Sequence, residues 1–139
     1  ESKADEYTKQ AHSSYGSMTY AGLKSYLYCN VTKTDPRVQS AWSWLRANYD
    51  VNQNPKMGSD GLYYYYHTMS KTLALWGEKT VTDAAGKKHT WGPELAAAIM
   101  RRQKPDGAWV NDNPRWRENT ADLATGYALI SLANCRQGL

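Results

Sequence analysis

Between residues 17 and 135 the apolar positions recur at three-and-four spacing in five successive runs, and every second run has little polar surface. "SMTYAGLKSYLYCN" predicts a helix from about Thr19 to Cys29 with Ser17 as its cap. "TDPRVQSAWSWLRANYD" predicts a second, capped by Thr34 or Asp35, with Pro36 in the first helical position where its missing N–H is harmless. Val38, Trp42 and Leu45 form its apolar stripe, leaving Arg37, Gln39, Ser43 and Arg46 for water.

The polar loop "VNQNPKMGSDG" leads to "GLYYYYHTMSKTLALWG", where four tyrosines stand side by side. On a helix, four consecutive residues point about 100° apart and so surround the axis. Leu62, Tyr65 or Tyr66, Met69, Leu73 and Trp76 fall on one stripe; Tyr63, Tyr64, His67 and Lys71 lie off it. Either the remaining tyrosines turn toward a cavity, or they crowd a core in which their hydroxyls find backbone partners. "EKTVTDAAGKKHT" reads as a loop, and a fourth helix starts near Trp91 with another early proline, Pro93. After the turn-rich "KPDGAWVNDNPRWREN", "TADLATGYALISLANC" is a fifth, apolar helix, and no β-strand pattern is expected anywhere.

The chain therefore divides into a polar segment at 1–16, in which Asp5 to Ala11 could form a short helix, helical repeats at 17–135, and a tail at 136–139. "KSYLYCN" at 24–30 matches "KTLALWG" at 71–77, and Pro36 matches Pro93. A helical hairpin recurring at roughly 50 residues implies stacked pairs, with the less amphipathic helices inside and the amphipathic ones outside. The fold class predicted is all-α.

Composition changes this picture in one respect. The chain has 11 Tyr, 6 Trp and no Phe, so every aromatic ring carries a hydrogen-bonding group, which suits helix interfaces and half-polar clefts. The net charge is +4, but the basic residues are dispersed: Arg101, Arg102 and Lys104 close a helix and Lys87 and Lys88 sit in a loop. No basic face recurs, which argues against nucleic acid as a partner. No apolar run is long enough for a membrane span. The chain starts at Glu1 with neither Met nor a signal-peptide pattern, as a mature product or an excised piece would, and the compartment stays open between a soluble interior location and export to a bacterial periplasm. Cys29 and Cys135 have no metal-type spacing; they read as free buried thiols, or as a bridge in an oxidising compartment.

"QKPDGAW", Gln103 to Trp109, carries the most specific pattern. Asp106 and Gly107 fit a tight turn in which Gly takes a positive φ. The Trp109 ring would cover that turn, and the Gln103 amide would satisfy free backbone groups at the helix end. The segment resembles the glutamine–tryptophan repeat of squalene–hopene cyclases. "YGSMTYAGLKS", "GLYYYYHTMSK", "NPRW" and "ATGYALISL" are similar to stretches of bacterial proteins carrying prenyltransferase and squalene-oxidase repeats. The resemblance covers about residues 15–135 and implies an α/α toroid, in which inner helices ring a cavity and outer helices surround them.

It further implies a cavity lined by aromatic rings whose faces steady positive charge, with Tyr20, Tyr63, Tyr64 and His67 as the ligand-cavity candidates. Gln103, Asp106, Gly107 and Trp109 would be structural clamps between repeats. A full ring of such hairpins needs around 300 residues, so this chain would be about half of one, its C-terminal half. The partner implied is the remainder of the toroid, from the same protein or by self-association, together with a hydrophobic, isoprenoid-like ligand.

Neither catalytic set of these families is carried over. The Asp-rich DxDD acid of the cyclases is absent, Asp122 has no Cys two positions on, and Cys29 has no Asp two positions before it. His12, His67 and His89 are too scattered for a local metal motif, so no metal and no cofactor is predicted. His67 is the best titratable candidate for acid or base chemistry, against the plainer reading of a histidine bonded within the packing. Asp122 is a second candidate, against the plainer reading of a carboxylate favoured at a helix start. Two other functions fit the pattern: a non-catalytic helical scaffold that binds protein, and a carbohydrate-active α/α toroid, which would need a pair of cavity carboxylates.

Overall fold

The computed structural model describes residues 13–139, so the possible 5–11 helix and His12 lie outside the described residues. Five α-helices carry the described chain: α1 (Gly16–Tyr28), α2 (Pro36–Ala47), α3 (Leu62–Trp76), α4 (Trp91–Met100) and α5 (Ala121–Cys135). The fold is mostly helical, as predicted. One departure is a short antiparallel hairpin, β1 (Thr80–Thr82) paired with β2 (Lys88–Thr90), in the stretch read as a loop.

Local chemistry explains the hairpin. The Asp83 carboxylate accepts from the Ala85 and Lys87 N–H groups at 2.9 Å and Gly86 N–H bonds Asp83 O, which closes the turn. His89 fastens it to α4, with Nε2 3.1 Å from Asp83 and Nδ1 3.0 Å from Glu94. The Tyr49 ring, beyond the end of α2, lies against His89 at 4.2 Å. The histidine beside it holds the Asp83 carboxyl below the usual range.

Helix α2 starts as predicted: Asp35 accepts from the Arg37 N–H at 2.9 Å and Pro36 occupies the first turn. Helix α1 does not. Its N-cap is Tyr15, and Ser17 lies inside the helix, where its N–H donates to the Asn54 side chain at 3.0 Å. Thus the cap comes from a loop and not from the preceding residues. Asn30 after α1 and Gly77 after α3, matched in the sequence, are both left-handed, with φ of 56° and 83°, a common way for a helix to end.

Helices α1, α3 and α5 form one layer with α3 in the middle; α2 packs on α1, and α4 on α5 and α3. The three are parallel. Asn54, just before α3, binds the start of α1 and Asp60, while Lys33 beyond the end of α1 donates to Trp76 O at the end of α3. Tyr127 meets Tyr64 and His67, and Asn134 further along α5 meets Ser70. The core lies between the layers, where the predicted stripes of α2 and α3 are buried. Trp42 of α2 stacks on Trp76 of α3 at 4.2 Å. Tyr65 and Tyr66 belong to this core, and their hydroxyls donate to Asp50 O and Val51 O in the loop after α2.

Trp42 is 9% exposed and joins the layers. Trp42→Ala should therefore cost ~3–5 kcal/mol in chemical denaturation; a loss below ~1 kcal/mol would mean that the stack does not hold α2 to α3.

Candidate functional site

Parallel packing gathers the N-terminal ends of α1 and α3 on one rim, where free N–H groups and helix dipoles make the local potential positive. The sequence supplies no ordinary cap for α3. Its N-cap is Gly61, left-handed at φ 60°, with no side chain to accept a hydrogen bond. The acceptor is Glu118. Its Oε1 accepts from Tyr64 N–H at 2.7 Å and its Oε2 from Tyr63 N–H at 3.0 Å and Asn111 Nδ2 at 2.8 Å. Glu118 is fully buried.

The segment that delivers this carboxylate is strained. Trp116 and Arg117 are both left-handed, at φ 63° and 62°, a region costly for side chains of this size. The strain is held by anchors at each end. Asn111 N–H bonds Glu118 O at 2.9 Å. Arg115 pairs with Asp60 at 2.6 Å, and Asn113 donates to the same carboxylate.

Between this segment and the starts of α1 and α3 lies a cavity of about 310 Å³. That is at the lower end of the range for small-molecule sites, roughly 300–1,000 Å³. Tyr15, Tyr64, Trp116 and Tyr127 contribute rings, Met18 and Met57 thioethers, and Asp60 and Glu118 carboxylates. Tyr64 and Tyr127 meet edge-on at 5.8 Å, and Trp116, 60% exposed, stands at the mouth.

The structure separates the four residues grouped as cavity candidates. Tyr64 lines the cavity. His67 lies one turn along α3, stacked on Tyr127 at 5.5 Å, outside the lining. Tyr20 is buried in the core against Tyr65 at 5.8 Å and does not border this cavity. Tyr63 is also buried and borders a different, polar cleft of about 650 Å³ shared with Arg101, Arg102 and Lys104. Burial pushes its hydroxyl up to about 12. The reason for the split is angular: successive helical residues leave on different sides, and the neighbouring helices select one side for each.

Asp122 is an exposed residue in the first turn of α5, whose N-cap is Thr120; it borders neither cavity. The His67 Nδ1 is buried without a hydrogen-bond partner. Burial first, then the nearby Lys24 and Lys71, hold its pKa below the ordinary 6.5.

The Gln103–Trp109 motif clamps as a unit, with the roles of its two ends exchanged. Gln103 donates to Gly107 O within the turn at 2.8 Å, whereas the Trp109 indole N–H takes the helix-end carbonyl of Ile99 at 2.8 Å. Asp106 accepts from Ala108 N–H, and Gly107 has φ 87°. Trp109 N–H also donates to Thr125 of α5, so the motif ties α4 to α5. Both cysteines are free; Cys29 is exposed, contrary to the expectation of burial, and burial pushes the Cys135 thiol up to about 12.

Among the described residues no group of three or more His, Cys, Asp or Glu is placed to hold a metal ion, and no helix is long and apolar enough to cross a membrane. Sequence reasoning missed Glu118, Trp116, Tyr15, Met18, Met57 and Tyr127. The one available signal was Gly61, which leaves a helix start without a local acceptor. Comparison with protein-family models, curated proteins and solved structures gives no match.

Glu118→Ala strands two helix N–H groups and takes one of two acceptors from the Asn111 amide, which keeps Ser59 O, and should cost ~3 kcal/mol or more, with Glu118→Gln losing less. Denaturant titration checks this; equal stability of all three proteins would remove the carboxylate from its structural role. His67 binds a proton less readily folded than unfolded, so its contribution to stability is complete above the ordinary 6.5 and is lost as the pH falls below it. Between about pH 7.5 and 5 the parent should therefore lose more stability than His67→Gln. Identical pH profiles would show that His67 is not desolvated.

Proposed function

We propose that the two helix layers are part of an α/α toroid of the terpenoid-cyclase and prenyltransferase type, and that the cavity at the starts of α1 and α3 receives a hydrophobic, isoprenoid-like ligand. The observation that carries this reading is the lining itself: tyrosine and tryptophan rings with two methionine side chains around about 310 Å³. Polarisable rings and thioethers of this kind favour branched, apolar molecules over hydrated ones. The parallel α1–α3–α5 layer backed by α2 and α4, and the Gln103–Trp109 clamp, support the architecture.

On this reading the exposed Leu129 and Ile130 of α5 meet further helices of the ring, from the same polypeptide or a second copy. The cavity residues bind and orient. No proton-transfer or bond-forming step is assigned to them, and any catalytic group would come from the rest of the ring.

Squalene or farnesol should protect the amides at the start of α3 from hydrogen exchange in a saturable way. Tyr64 is only half-buried, so Tyr64→Ala should weaken that binding by about tenfold while costing at most ~1 kcal/mol of stability. Absence of saturable protection, or a Tyr64→Ala protein whose stability falls in step with its binding, would overturn the proposal.

A further inference from the structure

We infer that Glu118 is a specificity-determining residue: it occupies the position at which an anionic ligand group would bind, and so restricts the cavity to uncharged ligand ends. The inference rests on the reading of this cavity as a ligand site.

A helix start facing a cavity is ordinarily a seat for phosphate, because its N–H groups point outward and its dipole favours negative charge. Here two parallel helices present such ends together. Both are already engaged. The Tyr63 and Tyr64 N–H groups of α3 donate to Glu118, and the Gly16 and Ser17 N–H groups of α1 donate to Pro55 O and the Asn54 side chain. Asp60, the second carboxylate in the wall, is paired with Arg115. Among the described residues that line the cavity there is no Lys, Arg or His. A phosphate entering would lose its hydration beside the Glu118 carboxylate, with Asp60 holding the nearby Arg115, and find the α3 donors taken.

The way the carboxylate arrives supports a role beyond capping. A Ser or Asp at position 61 could cap a helix locally. Instead the N-cap is Gly61, and a Cβ built there would meet the Trp116 ring at 3.3 Å. The acceptor is supplied from residue 118, through two consecutive left-handed residues, and Trp116 is thereby placed over the mouth. Backbone strain held by surrounding anchors in this way is characteristic of functional sites. One loop thus sets both properties of the cavity, filling the anion seat and adding an aromatic wall for what enters.

The test compares farnesol with farnesyl diphosphate on the 139-residue chain, by fluorescence titration at about 0.15 M salt, where the net charge of +4 attracts the diphosphate least misleadingly. Farnesol should bind about tenfold or more tightly than the diphosphate, because juxtaposed like charges are strongly unfavourable. Glu118→Gln, which frees part of the seat, should narrow that ratio. Diphosphate binding as tight as farnesol to the parent chain would overturn the inference while leaving the apolar-ligand reading intact. Saturable binding of neither would overturn both. The parent comparison is decisive even if Glu118→Gln does not fold, and an unchanged ratio in a folded Glu118→Gln protein would count against the residue's assigned role.

Discussion

A buried carboxylate beneath the start of a helix is the constraint on which the described structure turns. Glu118 is surrounded by protein, and an ion so placed is tolerable only if its oxygens are fully served. The first turn of α3 serves them with two N–H groups, and Asn111 with a third donor. The dependence is mutual, because α3 has no other cap. From this one contact follow the position of the 111–118 segment, the left-handed Trp116 and Arg117, and the pairing of Arg115 with Asp60. The cavity is the space these elements enclose with the start of α1.

The tyrosine quartet shows how one short sequence is divided by its surroundings. Tyr65 and Tyr66 are core residues that place hydroxyls on loop carbonyls, Tyr63 borders the polar cleft, and Tyr64 joins Tyr127 in the cavity. Tyr65 and Tyr66 thus follow the core reading, with hydroxyls on backbone partners. A phenylalanine at 65 or 66 would fill the same volume but leave Asp50 O or Val51 O without that donor, which gives a physical reason for hydroxylated rings in this part of the helix.

What could be read in the sequence was local and repeated. Asp35 with Pro36 marked the start of α2, Val38, Trp42 and Leu45 its buried side, and Asp106 with Gly107 a turn whose geometry is now visible. The hairpin escaped because each strand is only three residues long, too short for an alternating pattern to register. Ser17 was misplaced because Asn54, distant in sequence, does the capping. Glu118 was invisible for the same reason: it sits in a polar run, "RWREN", that reads as an ordinary loop, and nothing nearby announces that its partner is the backbone of another helix. Tyr20 and Tyr63 could not be sorted from Tyr64 without knowing which side each neighbouring helix takes.

The distance along the chain between α3 and its cap bears on how the protein is made. Residues 63 and 118 are 55 positions apart, and a ribosome adds roughly 5–20 residues each second. For several seconds the first turn of the tyrosine helix lacks the carboxylate that serves it, although α1, α2 and the loop after α2, which shelter Tyr65, Tyr66 and Trp76, have already been made. The cap of α3 therefore has to await the polypeptide that follows α4, which ties completion of its first turn to the 111–118 segment.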